Sequence, residues 1–291
     1  EVAIVGKRFD SLVFPGGKGK ACTLSYDDGV VQDRRLAELL RRYGVKCTFN
    51  LGSALLGHED KGGFPGKPNL DISKVSPEEV EAVYVGHEIA GHGLYHSGLN
   101  SVGTPLAAYE IVEDKRRLEA LVGKPLRMFA YPFGMYTKET VRQLHLAGYM
   151  GARTIRSTHA FTIPEDFLEW DPTCHHNDPE LMELARQFLA GPPYFPMLFY
   201  VWGHAYEFDD DNNWNVIEQL AALLAQHKDR IWFATNGEVM EYITAYRRLE
   251  YSVDGSLIYN PSAMDVTIRT SIGQTELVKA GCCARIAPTP L

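Results

Sequence analysis

No stretch of this chain reaches the roughly 18 consecutive apolar residues that a membrane-spanning helix requires, so a membrane partner is not expected. Basic charge is also scarce. Lys and Arg number 29 against 37 Asp and Glu, a formal net charge of -8, and nothing resembles the clustered cationic footprint of a nucleic-acid binder. The densest basic stretch, Arg34-Arg35 with Arg41-Arg42, is interleaved with Leu36, Leu39 and Leu40 and reads as the solvated face of an amphipathic helix. The five cysteines are odd in number and form no CxxC pair, and Cys22 and Cys47 sit in apolar runs. That pattern favours reduced thiols in a cytoplasmic protein over a secreted disulfide framework. No secretory leader pattern and no internal repeat is visible.

What is present is a 291-residue chain that is 45% hydrophobic, enough for one large domain with a small appendage. β-rich runs at 21–26, 46–51, 88–91, 128–131, 149–154, 197–202 and 231–235 alternate with helical patterns at 33–43, 106–121, 137–147 and 215–227. Gly44, Gly123 and Gly148 follow three of those helices as C-cap signals, and Ser76-Pro77-Glu78-Glu79 opens another. Seven β/α alternations imply parallel strands, and at this length a TIM-like α/β barrel rather than an open sheet. Residues 57–70, rich in Gly, Pro and Lys, read as a surface loop. Past Leu249 the texture changes to short β-like segments. The expected division is a barrel over residues 1–248 and a β-rich extension over 249–291 packed on it.

Barrel enzymes carry their chemistry just past the C-terminal ends of strands. The first strand pattern ends in Asp27-Asp28-Gly29. Two adjacent carboxylates raise one another's pKa unless a cation intervenes, although an Asp-Asp-Gly turn is common and needs no cation. Gly91-His92-Gly93-Leu94-Tyr95-His96 follows the third strand pattern, and His92 and His96 have the i, i+4 spacing with which two imidazoles reach one metal. Two His and one Asp make three protein ligands and leave open positions for water and substrate, as catalytic zinc sites do. On this reading Asp28 ligates and Asp27 acts as general base.

In these residues the chain resembles the polysaccharide deacetylases, the NodB-homology or carbohydrate esterase family four enzymes. Ser25-Tyr26-Asp27-Asp28-Gly29 is similar to the family's first motif, and Gly86-His87-Glu88-Ile89 with His92-Gly93-Leu94-Tyr95-His96 to its second. Ala130-Tyr131-Pro132-Phe133-Gly134 is similar to the third, and Leu198-Phe199-Tyr200-Val201-Trp202-Gly203-His204 to the fifth. The resemblance implies a distorted (β/α)7 barrel that removes N- or O-acetyl groups from a carbohydrate. It implies a divalent metal on Asp28, His92 and His96, zinc first, with Co, Ni, Mn or Fe as alternatives. Asp27 is then the base on a metal-activated water and His204 the acid on the leaving group. The backbone N–H of Phe133 helps to hold the oxyanion, and Tyr131 belongs to the pocket wall.

Two departures stand out. Ala130 occupies the place of the family's Arg, which tunes the catalytic Asp; Arg153 and Arg156 are candidates to replace it. Gly93 replaces a Ser or Thr. Trp170-Asp171-Pro172-Thr173-Cys174-His175-His176-Asn177-Asp178 falls near the family's fourth motif, so Trp170, His175 and His176 are candidate substrate contacts. The two His could equally be a fourth ligand, a substitute for the Arg, or caps of a helix beginning at Asp178-Pro179. The Cys174–Asp178 run and Gly203-His204-Ala205-Tyr206-Glu207-Phe208 are similar to runs in a group of barrel-only bacterial relatives, whose substrates the resemblance does not supply. Two competing readings are a sugar-binding barrel that lost its activity, favoured by the missing Arg, and a barrel hydrolase of small amides, disfavoured because its usual His-x-His is absent.

Overall fold

A computed structural model describes residues 10–63, 67–192, 195–270 and 273–286. The chain opens with strand β1 (Asp10–Val13), followed by β2 (Lys20–Asp27), helix α1 (Asp33–Tyr43), β3 (Thr48–Leu51), the short α2 (Val80–Val83), β4 (Glu88–Gly91), α3 (Thr104–Val122) and β5 (Met128–Ala130). Then come α4 (Lys138–Leu146), β6 (Gly151–Arg153), β7 (Cys174–His175), α5 (Leu181–Ala190), β8 (Met197–His204), the single-turn α6 (Glu207–Asp210), α7 (Trp214–Ala225), β9 (Ile231–Phe233) and α8 (Asn236–Arg247). Five short strands complete the chain: β10 (Glu250–Tyr251), β11 (Leu257–Tyr259), β12 (Val266–Thr270), β13 (Thr275–Val278) and β14 (Cys283–Arg285).

Seven parallel strands form one curled sheet in the order β6-β5-β4-β3-β2-β8-β7. The seam between β6 and β7 is bridged rather than laddered. Trp170 N–H donates to Ala152 and Thr154 N–H to the Trp170 carbonyl, while Thr173 N–H donates to Tyr200 on β8. The expected count of seven holds, but its membership differs. Cys174–His175 replaces the run at 231–235, whose strand β9 pairs only with Lys20–Cys22 of β2. Two residues are too short a stretch for period-two alternation to mark. All eight residues of β2 are buried, as a strand covered on both faces must be. Its C-terminal half pairs with β3 and its whole length with β8, which aligns Asp27 with Asn50 and with His204.

Helix α1 ends as its sequence indicates: Gly44 takes a left-handed φ of 70° and donates back to Arg41 and Leu40. The helices pack a continuous core that runs from Cys22, Phe49 and Ile111 to Phe199 and Leu220. The terminal strands form two small antiparallel sheets, β1-β12-β13 and β10-β11-β14. The first of these draws in β1, so residues near the start of the chain pair with residues near its end. Ala245 and Leu249 of the barrel side pack with Ile258, Val266, Ile268 and Val278.

Candidate metal centre and active site

The C-terminal rim of the sheet brings Asp27, Asp28, His92, His96 and His204 to the floor of one cavity of about 620 Å³. Asp27 closes β2 and is buried. Its Oδ1 accepts from Asn50 Nδ2 at 2.7 Å and its Oδ2 from Arg153 Nη2. Burial alone would raise its pKa, but Arg153, His92 and His204 outweigh that and hold it below the ordinary carboxylate range. The next residue turns the other way because the backbone reverses: Asp28 takes φ 79°, and its N–H donates to the Asn50 carbonyl at 3.0 Å. His96 and Phe133 also have positive φ, so three of the five non-glycine residues of this kind in the described chain surround one cavity. Such conformations persist where the surroundings over-determine them, typically at working sites.

Asp28 Oδ1 lies 3.5 Å from His96 Nε2 and 3.8 Å from His92 Nε2, and its Oδ2 lies 3.9 Å from Lys74 Nζ. Against burial, Lys74 and the nearby imidazoles hold the Asp28 pKa down to about 2. The ligand atoms of Asp28, His92 and His96 fall within 4.8 Å of one another. His92 supplies the test of fit. Its Nδ1 lies 2.8 Å from the Ala130 carbonyl, which can only accept, so Nδ1 carries the proton and Nε2 a lone pair. That Nε2 is buried without a hydrogen-bond partner. Burial and the neighbouring His92 lower the His96 pKa to about 4, leaving that ring neutral as well. Two neutral imidazole nitrogens and an ionised carboxylate oxygen, with one outer nitrogen fixed on a carbonyl, suit a divalent cation.

Helix α3 sets the His92–His96 loop with two acids that carried no signal of this role. Asp114 accepts N–H bonds from Ser53, His92 and Gly93 at 2.7–3.1 Å. Glu110, one turn earlier, accepts from Tyr95 N–H at 2.9 Å and Ser97 Oγ at 2.8 Å. Both acids are buried. Acids four residues apart on one helix face are the visible trace, but their partners are backbone amides and the Ser97 hydroxyl, which no pattern announces.

At the far side of the rim, His204 Nε2 stands 3.9 Å from Asp27 Oδ2, and its Nδ1 3.3 Å from Glu207 Oε1. Burial works against its charged form, yet Glu207 and the two aspartates raise its pKa. Glu207 is shared: His175 Nε2 is 3.2 Å and His176 Nε2 3.1 Å from its Oε2. These contacts outweigh burial and hold the Glu207 carboxyl well below its ordinary range. His176 is stacked between Tyr26 and Phe208, with ring centroids 5.6 and 4.2 Å away. Gly203 has to be glycine, because a Cβ there would lie 1.9 Å from His176 Nδ1.

The remaining candidates separate. Arg153 is buried, pairs with Asp27 and places its guanidinium 4.3 Å over the Trp202 ring. Arg156 is exposed and pairs instead with Asp171. Tyr131 and Phe133 line the cavity, Phe133 edge-on to His96 at 4.4 Å. Trp170 does not line it; the indole is buried between Phe167 and Tyr200, on the bridged seam. His175 and His176 sit behind His204 on Glu207 rather than on the cavity wall.

The family model described as polysaccharide deacetylase matches residues 15–152, the span from before β2 through most of β6. Over that span the chain matches the polysaccharide deacetylase family. The matched span contains Asp27, Asp28, His92, His96 and Phe133 and stops one residue short of Arg153. No protein with a curated description matches. Among solved structures, one assigned to the polysaccharide deacetylases from Mycobacterium smegmatis is similar with 16% identity and a TM-score of 0.59, covering 81% of this chain and 94% of that one. A family 4 carbohydrate esterase from Streptomyces lividans, in complex with acetate, is similar with 14% identity and a TM-score of 0.50, covering 74% and 92%. The Streptococcus pyogenes deacetylase PplD matches with 17% identity and a TM-score of 0.43, over 50% of this chain and 61% of that chain. The Mycobacterium smegmatis and Streptomyces lividans structures share the fold.

Proposed function

We propose that this deacetylase-family chain hydrolyses an N- or O-linked acetyl group on a carbohydrate, using a divalent metal, zinc first, held by Asp28, His92 and His96. The observation that carries the reading is the buried, unpartnered Nε2 of His92, which faces Asp28 and His96 beside an ionised Asp27. A cation bound there would polarise the acetyl carbonyl and make a water acidic enough to ionise near neutral pH.

The chain's own residues divide the rest. Asn50 and Arg153 fix both oxygens of Asp27 and keep it ionised, ready to take a proton from the attacking water. His204, its pKa raised by Glu207, keeps a proton on Nε2 for the departing amine or alcohol. The backbone N–H of Phe133 and the cation would share the charge on the oxyanion. Tyr131, Phe133 and Trp202 wall the cavity; His175 and His176 act through Glu207, not on substrate. Acetate, held by the Streptomyces lividans relative, is the product expected here. An inactive sugar-binding barrel loses the observation that favoured it, since Arg153 reaches Asp27 where Ala130 lacks a side chain to do so. Five unpaired cysteines support a reducing compartment.

The test is acetate release by the zinc-loaded chain from chitin, peptidoglycan and xylan fragments. Asp27→Asn is expected to keep its metal and lose about 10²–10⁴ in rate, the contribution of a placed general base. A metal-loaded wild type that frees acetate from none of these, nor from O-acetylated sugars, contradicts the proposal.

A further inference from the structure

Deacetylation uses the floor of the cavity and leaves its walls without a task. The walls are built differently from the floor. Leu55, Ile72 and Ile155 are aliphatic, Phe133 and Trp202 aromatic, and among the described lining residues there is no Ser, Thr, Asn or Gln. Tyr131 already donates its hydroxyl to the Leu168 carbonyl at 2.7 Å. Much of this surface meets water: Tyr95 is 55% exposed, Phe133 57% and Ile155 43%. The backbone fixes two of these side chains in place. Phe133 takes φ 56° with its ring edge-on to His96. Ile155 leans on Gly134, at φ 67°, where a Cβ would come within 2.3 Å of the Ile155 Cγ1. An oxyanion needs only the Phe133 N–H, which any residue but proline supplies, so the reaction does not account for the ring. Large apolar side chains gathered in water at a site mark a surface that a ligand covers.

The chemistry of the walls says what that ligand is. A sugar carries hydroxyls on every edge, and a hydroxyl buried without a partner costs free energy. A wall that covers several sugar units therefore needs amide or hydroxyl side chains. Leu55, Ile72 and Ile155 offer neither a hydrogen bond nor a ring face on which a sugar could stack. The cavity of about 620 Å³ falls within the roughly 300–1,000 Å³ of sites that enclose a whole drug-sized ligand, far more than an acetyl group fills. We infer that the substrate is an acetylated glycoside with an apolar aglycone, aryl or short alkyl, and that Leu55, Phe133 and Ile155 bind that aglycone. The reaction in this statement rests on the deacetylase reading; the aglycone rests on the composition of the walls. A few polar groups at the floor then orient the ligand while the apolar walls hold the rest of it, as small-molecule sites do.

Two measurements on the full zinc-loaded chain test this. In the first, kcat/KM for acetate release is compared for the methyl, butyl and phenyl N-acetylglucosaminides and for the matching O-acetylglucosides. The butyl and phenyl compounds are expected to exceed the methyl one by at least about tenfold, since each buried methylene is worth about fourfold. Ile155→Ser should cut that ratio by about threefold or more, and Ile155→Val should keep most of it. In the second, binding of unacetylated phenyl glucoside against methyl glucoside is followed by calorimetry, which needs no turnover. The phenyl compound should bind more tightly and with a negative heat-capacity change, the mark of apolar burial, and Ile155→Ser should weaken it. If no acetylated sugar is hydrolysed yet phenyl glucoside binds in this way, the deacetylase reading fails and the apolar site stands. If acetate is released equally well from all three glycosides, or faster from chitin oligomers than from any of them, the inference is overturned. A preference for butanoyl over acetyl with no effect of the aglycone overturns it too, because the walls would then hold the acyl group.

Discussion

Two places in this molecule gather a pair of imidazoles around one carboxylate, and they differ in what the outer ring nitrogen meets. At Asp28, the outer nitrogen of His92 faces the Ala130 carbonyl, so the inner nitrogen is a lone pair with nothing to bond. At Glu207 the ligand-like atoms of His175 and His176 converge just as closely. There, however, the Asn177 N–H donates to His175 Nδ1 at 3.1 Å, so the proton of that ring sits on Nε2, facing the carboxylate. A neutral imidazole cannot offer both nitrogens as acceptors. On these tautomers the first cluster suits the proposed cation, whereas His175 of the second donates to a carboxylate that in turn holds His204. Ligand spacing alone does not distinguish them; the partner of the second nitrogen separates His92 from His175.

The comparison can be broken most sharply at its charged pairs. Arg153→Met leaves Asp27 as a buried carboxylate without its cation, which typically costs about 3–5 kcal/mol. Urea denaturation should register that loss. In the surviving enzyme the acidic limb of kcat/KM should move to higher pH, because Arg153 is the leading influence that lowers the Asp27 pKa. Glu207→Gln is milder. It removes the group that raises the His204 pKa, so the basic limb should move to lower pH and the rate should fall by up to about 10²-fold. Metal content should not change; a loss of metal on Glu207→Gln would mean that the two clusters are not separate.

The smallest effect concerns stability. Burial lowers the His176 pKa from 6.5 to about 4. The unfolded chain therefore takes up the proton first, and the fold loses stability as pH falls from 6.5 toward 4, by at most roughly 3 kcal/mol. Above pH 6.5 this contribution is constant. His176→Phe, which keeps a ring between Tyr26 and Phe208, should flatten that stretch of the stability–pH curve measured by thermal melts. An unchanged slope would mean that other groups carry the acid sensitivity.

How much of this was legible beforehand follows from the range of each interaction. Strand β2 and the Asp27-Asp28-Gly29 turn are local: an apolar run and a glycine announce them. Helix α1 and its Gly44 cap are local too. The His92/His96 pair was visible as a spacing, but the tautomer that makes it a ligand pair depends on Ala130, 38 positions away. Arg153 was one of two basic candidates, and only the curl of the sheet, which brings β6 round to β2, separates it from Arg156. Strand β7 was hidden because two residues have no period. Trp170 looked like a pocket residue because it sits in sequence beside polar ones, yet it closes the seam. Asn50, Asp114 and Glu207 escaped notice since each acts on a backbone amide or side chain that is remote or unpatterned. The anticipated boundary between a barrel and a β extension takes no account of β1, which pairs with β12 across most of the chain's length.

The most direct measurement is zinc stoichiometry by elemental analysis of the purified full chain and two variants, His92→Ala and His175→Ala, after equilibration with excess zinc and removal of loose metal. The account predicts one zinc per chain in the wild type, nearly none in His92→Ala, and one in His175→Ala. Two zincs per wild-type chain, or a zinc lost with His175 and retained without His92, would contradict it.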